Sequence, residues 1–134
     1  MPIDIALPAN TPTGALELRQ VQAIPDGTAF AALLVVRSGG LAAALPYFVT
    51  RDAFREFVEA LGDVVIGAAT PARLPARDGS GMLVLGTASD GMMIVSGHLE
   101  EECDQLFRFR FVTDVRGAAT LHEGLRSLLD ESRS

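Results

Sequence analysis

The stretch GMLVLGTASDGMMIVSGHLEEECDQLFRFRFVT, residues 81–113, decides the fold. It reads as three strands, Met82–Ala88, Met92–Leu99 and Gln105–Thr113. Asp90-Gly91 between the first two is a strong hairpin signal, because both central residues of a type I′ turn need a positive φ. The third strand alternates. Phe107, Phe109 and Phe111 share one face, and Leu106, Arg108, Arg110 and Val112 share the other. The Phe face is predicted to be core.

Working outward, the upstream chain repeats this style. Pro2–Leu7 reads as a short edge strand, and Gly14–Ile24 as a second, with Leu16 and Leu18 on one face and, less cleanly, Gln20 and Gln22. Pro25-Asp26-Gly27 is a turn. Thr28–Arg37 and Leu41–Val49 are apolar almost throughout, which predicts strands buried on both faces. Thr50 is placed to cap a helix, and Phe54, Phe57, Val58 and Leu61 then form one apolar stripe. Gly62 reads as its C-cap. Val64–Ile66 and Ala72–Leu74 are strand-like, but Pro71 and Pro75 exclude a central strand there. Downstream of the meander, Asp114 can cap a last helix, Val115–Leu129, with Ala118, Leu121, Leu125 and Leu128 on its inner face. The expected fold is therefore α+β, one domain. A curved, mainly antiparallel sheet of six to eight strands is packed by two helices, about 51–61 and 115–129. The two halves of the chain show a coarse symmetry, each ending in a strand, a cap and an amphipathic helix.

Composition limits function. The chain has 134 residues, 49% of them hydrophobic, and a net charge of −6. All 11 basic residues are arginine. Without lysine there is no Schiff-base lysine and no P-loop lysine. Acidic balance and the lack of lysine argue against nucleic acid as a partner. Cys103 is the only cysteine, so no intrachain disulfide can form, which fits a reducing compartment. The N-terminus lacks a basic region followed by an apolar core, and the apolar runs are too short to span a bilayer. These features predict a cytoplasmic protein without membrane association.

Candidate chemistry is sparse. Ser96-Gly97-His98 puts a hydroxyl and an imidazole on one strand face. The glycines of a nucleophile elbow are missing, since Ile94 and His98 stand in their places. His98-Leu99-Glu100 matches half of a zinc-deaminase signature, and the Pro-Cys-x-x-Cys half is absent. Glu100, Glu101, Glu102 and Asp104 form an acidic loop whose simplest reading is a solvated turn. His122 flanks the apolar stripe of the last helix and reads as half-buried packing. No metal or other cofactor is implied. Arg108 and Arg110 are the best candidates for binding, because guanidiniums two residues apart on a strand suit carboxylates on a partner. Their alternative role is charge balance against Glu17 or the acidic loop.

Phe54-x-x-Phe57-x-x-x-Leu61, the Gly91-Met92-Met93-Ile94-Val95 hairpin strand, and the Phe-rich strand ending in Thr113-Asp114 before a Leu-spaced helix resemble small bacterial domains related to WapI-type immunity proteins. The resemblance covers roughly residues 28–129. It implies an α+β fold and a cytoplasmic binding role in which a toxin is neutralised by occlusion, with no catalytic residue to carry over. The sequence-level expectation is a non-enzymatic protein-binding domain using Arg108, Arg110, Glu100, Glu101 and Glu102. The alternatives are a small-molecule binder or enzyme with a cleft near Ser96, His98 and residues 100–104, and a structural homo-oligomer, of which a homodimer is the simplest form.

Overall fold

The computed structural model describes residues 3–8, 15–25, 27–38, 40–68, 70–88, 91–101 and 105–131. Four strands, β1 (Ile3–Pro8), β2 (Ala15–Ala23), β3 (Ala29–Ser38) and β4 (Leu41–Thr50), lead into helix α1 (Arg51–Val65). A second set, β5 (Ala72–Pro75), β6 (Gly81–Thr87), β7 (Met92–Glu101) and β8 (Gln105–Asp114), leads into α2 (Val115–Glu131). The fold is α+β with antiparallel pairing throughout, but the strands do not form a single curved sheet. They form two four-stranded sheets in simple sequential order, β1-β2-β3-β4 and β5-β6-β7-β8. The reason lies at β4. It runs straight into α1, so the chain leaves the first sheet there and never returns to that edge.

Both helices start where the sequence places their caps. Thr50 Oγ1 accepts the Ala53 N–H at 3.1 Å, and Asp114 Oδ1 accepts the Arg116 N–H at 2.8 Å. The end of α1 differs from expectation. Gly62 lies inside the helix, and the apolar stripe continues through buried Val64. Termination falls to Gly67, at φ +102°. Its N–H donates to the Val64 carbonyl and the Ala68 N–H donates to the Asp63 carbonyl, both at 3.0 Å, the Schellman pattern. Gly62 is needed for close approach instead: a Cβ there would stand 2.9 Å from His122 Nε2 of α2. His122 thus packs in the helix–helix contact, and its buried Nε2 has no hydrogen-bond partner among the described residues.

The core is one contiguous cluster from both sheets and both helices, including Phe30, Leu34, Phe57, Leu61, Leu83, Leu85, Met93, Leu121 and Leu125. Phe30 of β3 stacks on Phe54 of α1 at 4.0 Å between centroids. Phe109 and Phe111 are buried as the alternation predicts, and Phe107 packs at the margin. The helices are exchanged between the halves. α1 packs chiefly on α2 and β5, and α2 chiefly on α1 and β1.

Two further expectations are corrected. In β2 the alternation breaks because of a bulge: register shifts between Arg19 and Gln22, Gln20 adopts φ +54°, and Val21 becomes the buried residue. The Gln20 N–H is held by Asp4 Oδ1 at 2.7 Å. β3 and β4 are not buried on both faces. Their inner positions, such as Leu34, Val36, Tyr47 and Val49, are buried. Pro46 and Phe48, on the outer face of β4, are exposed. Pro46 also fits the place of β4 at the edge of its sheet, since proline within a strand belongs on an edge. β5, flanked by Pro71 and Pro75, is likewise an edge strand.

Candidate functional site

Two surfaces carry the residues of interest. The first is the outer face of the second sheet. Strand register places His98 directly opposite Arg108 and Ser96 directly opposite Arg110. On the other side of β7, Met82 and Val84 oppose His98 and Ser96, and Arg73 of β5 opposes Val84. One face therefore gathers Arg73, Arg108, Arg110 and His98 with Ser96. Leu106, 48% exposed, and Val112, 39% exposed, flank the two arginines. Ser96 and His98 on one strand and Arg110 and Arg108 on the next are thus cross-strand neighbours.

This face is open sheet. Ser96 and His98 are half-buried beside their strand neighbours and line none of the clefts at β4 described below. Gly97 between them serves packing. A Cβ there would lie 2.2 Å from the Met82 carbonyl oxygen and 2.7 Å from the Phe109 ring, which covers it from the core side. Glu17 does not balance Arg108 or Arg110. It sits on the first sheet, 2.8 Å from Arg19 and 4.0 Å from Arg37. Glu100 is exposed near the end of β7, where its N–H donates to the Ser80 carbonyl at 2.7 Å. Glu101 contributes its backbone to β7 opposite Gln105. Glu102, Cys103 and Asp104 lie outside the described residues, as does Asp90 of the hairpin; Gly91 has the positive φ, +73°, that such a turn needs. Among the described residues, no three His, Cys, Asp or Glu side chains come together to hold a metal ion. No helix is long and apolar enough to cross a membrane.

The second surface lies along the outer edge of β4. Two neighbouring clefts, of about 630 Å³ and about 440 Å³, share Leu45 and Leu99 in their walls. The larger is lined by Leu45–Phe48, Asp78, Ser80, Leu99 and Glu100, and the smaller by Ala42–Leu45, Leu99, Leu106 and Phe107. Tyr47 forms the floor and ties the sheets together: its hydroxyl donates to the Leu74 carbonyl of β5. Burial pushes the Tyr47 phenol pKa well above the usual tyrosine value, and the Asp78 carboxylate nearby pushes it further. Asp78 itself is held below the usual carboxylate range by hydrogen bonds from the Ser80 side chain and backbone, so it carries its charge at neutral pH. Arg77 stacks over the Phe48 ring at 5.7 Å, and its N–H donates to the Phe48 carbonyl at 2.6 Å.

No family model matches the chain, and no curated protein matches it. Among solved structures it is similar to the Trypanosoma brucei MRP1/MRP2 crystal structures, with a TM-score of 0.62 at 13% identity. That similarity covers 100% of this chain and 88% of the other. It establishes the doubled four-strand-and-helix arrangement as a fold seen in experiment.

Proposed function

We propose that the protein is a non-enzymatic, cytoplasmic binding protein that presents the outer face of its second sheet to an acidic protein surface. One observation carries this reading: β7–β8 register sets Arg108 and Arg110 beside His98 and Ser96 on an open face flanked by exposed Leu106 and Val112. Guanidiniums among apolar side chains are the composition of an interface hot spot, since arginine pairs carboxylates bidentately and its stem covers apolar area. The net charge of −6 would weaken attraction to an acidic partner at long range, so recognition rests on this local patch. Toxin neutralisation by occlusion, as the WapI-type resemblance implies, is one form such binding would take. The catalytic alternative is less well supported, because Ser96 and His98 lie on an open strand face and line neither cleft at β4.

The test is affinity capture from the source cell with wild type and with the double variant Arg108→Glu/Arg110→Glu. The expected result is a discrete protein partner retained by wild type and lost with the double variant, whose circular dichroism stays unchanged. Equal retention by both would reject the arginine face. Capture of single-stranded nucleic acid in place of protein would replace the reading with a polyanion-binding one.

A further inference from the structure

We infer that the outer edge of β4 is a strand-addition site for an extended peptide with alternating apolar side chains and a basic residue near its N-terminus. The backbone argument comes first. Ser38 and Leu41 pair across the β3–β4 turn, so Leu41, Ala43, Leu45, Tyr47 and Val49 direct their N–H and C=O groups to β3. Ala42, Ala44, Pro46 and Phe48 must direct theirs outward. Two facts agree with that parity. The Phe48 carbonyl accepts from Arg77, which is outside the first sheet. Pro46, with no N–H to give, stands where the ladder asks for none. Among the described residues, no backbone group of another element pairs with Ala42 or Ala44.

The surroundings fit a strand. The two clefts beside this edge together flank Ala42 to Phe48, six residue steps or about 20 Å of extended chain. Each lies within the roughly 300–1,000 Å³ of ordinary binding pockets. Leu99, Leu106 and Phe107 form an apolar wall that would take alternate side chains, the arrangement that gives strand-addition sites their specificity. The small side chains of Ala42 and Ala44 leave the edge approachable. At the Phe48 end two carboxylates, Asp78 and exposed Glu100, outnumber the one guanidinium of Arg77 over the Phe48 ring, so the groove there is net acidic. An antiparallel peptide, the more stable pairing, enters with its N-terminal side there, so its basic residue belongs near that end. A second copy of this chain is a poorer match: Leu41–Thr50 contains no basic residue, and β4–β4 pairing would bring no counter-charge to Asp78 and Glu100.

The experiment uses the full chain and the peptide Arg-Thr-Val-Thr-Val-Thr-Val, amidated and carrying a fluorophore, read by anisotropy. Wild type should bind saturably. Backbone N-methylation at one alternating set of peptide residues should weaken binding at least tenfold, while methylation of the other set leaves it intact. Ala44→Pro, which removes an outward N–H, and Glu100→Arg, which inverts the acidic end, should each weaken binding at least tenfold. Arg108→Glu/Arg110→Glu should leave it unchanged, separating this site from the sheet face proposed above. Absence of saturable binding to wild type, or equal effects of the two methylation sets, would overturn the inference. So would a dimer in light scattering that Ala44→Pro dissociates, because a second copy would then fill the edge.

Discussion

Replacing Tyr47 by Phe removes one hydroxyl from the seam between the two sheets. The ring stays, so the packing of a residue only 3% exposed is retained. What is lost is the hydrogen bond to the Leu74 carbonyl. The bond is worth about 0.5–1.5 kcal/mol net. The Leu74 carbonyl keeps its ladder partner Leu83 in β6, so no acceptor is left bare and the expected loss is about 1 kcal/mol. Guanidinium unfolding followed by circular dichroism should show a lower midpoint with unchanged slope, since the exposed area does not change. The wild type supplies a second, independent readout. The Tyr47 pKa is raised in the folded state, so the folded protein keeps a proton that the unfolded chain releases above about pH 10. Wild-type stability is thus unaffected by this group below pH 10. It then falls by about 1.4 kcal/mol per pH unit as pH rises toward the folded-state pKa. Because the chain has 1 tyrosine, tyrosinate absorbance should appear only with unfolding, and Tyr47→Phe should lack that part of the alkaline slope. A loss below about 0.5 kcal/mol, or tyrosinate forming in the folded protein near the ordinary pKa, would refute the inter-sheet bond.

Gly97→Ala should destabilise by about 1–3 kcal/mol, because the new methyl meets the Met82 backbone carbonyl at 2.2 Å and backbone cannot step aside as a side-chain tip can; thermal unfolding unchanged from wild type would contradict the β6–β7 register. Gly62→Ala alone sets a helix-propensity gain of about 1 kcal/mol against the close contact with His122. In a His122→Ala background the contact is gone and the same change should be stabilising, so a double-mutant cycle with no coupling would disprove the helix contact. Gln20→Gly should raise stability or leave it unchanged, because φ +54° strains a side chain, whereas Gln20→Val should lower it by about 1–2 kcal/mol; equal melting of the two variants would argue against the bulge.

Much of this architecture is local and was therefore legible. Phe107–Phe111 alternate as a half-buried strand must, and Thr50 and Asp114 sit where orphan N–H groups need an acceptor. The stripe at Phe54, Phe57, Val58 and Leu61 has a single physical reading. The partition of the strands into two sheets was not legible, because it depends on which edges are left unpaired after β4, and no residue near Thr50 encodes that. The end of α1 was misread for a similar reason. Gly62 carries the usual stop signal, but the apolar stripe runs on through buried Val64, and the small residue at 62 answers instead to His122, sixty residues away in sequence. The candidate site was half visible. Each pair, Ser96 with His98 and Arg108 with Arg110, could be placed on a strand face. That the pairs oppose one another depends on β7–β8 register, which the intervening acidic segment conceals. Pro46 did mark β4 as an edge, and that signal was available from the sequence.

The exchange of helices between the two halves has a mechanical consequence. A sheet stripped of the other half's helix would show its inner apolar face to water, so neither four-strand-and-helix half owns a complete interior. The link through residues 66–71 is therefore not a seam at which the molecule can come apart in stages. The halves behave like two clasped hands: each grips with what the other lacks, and both must open together.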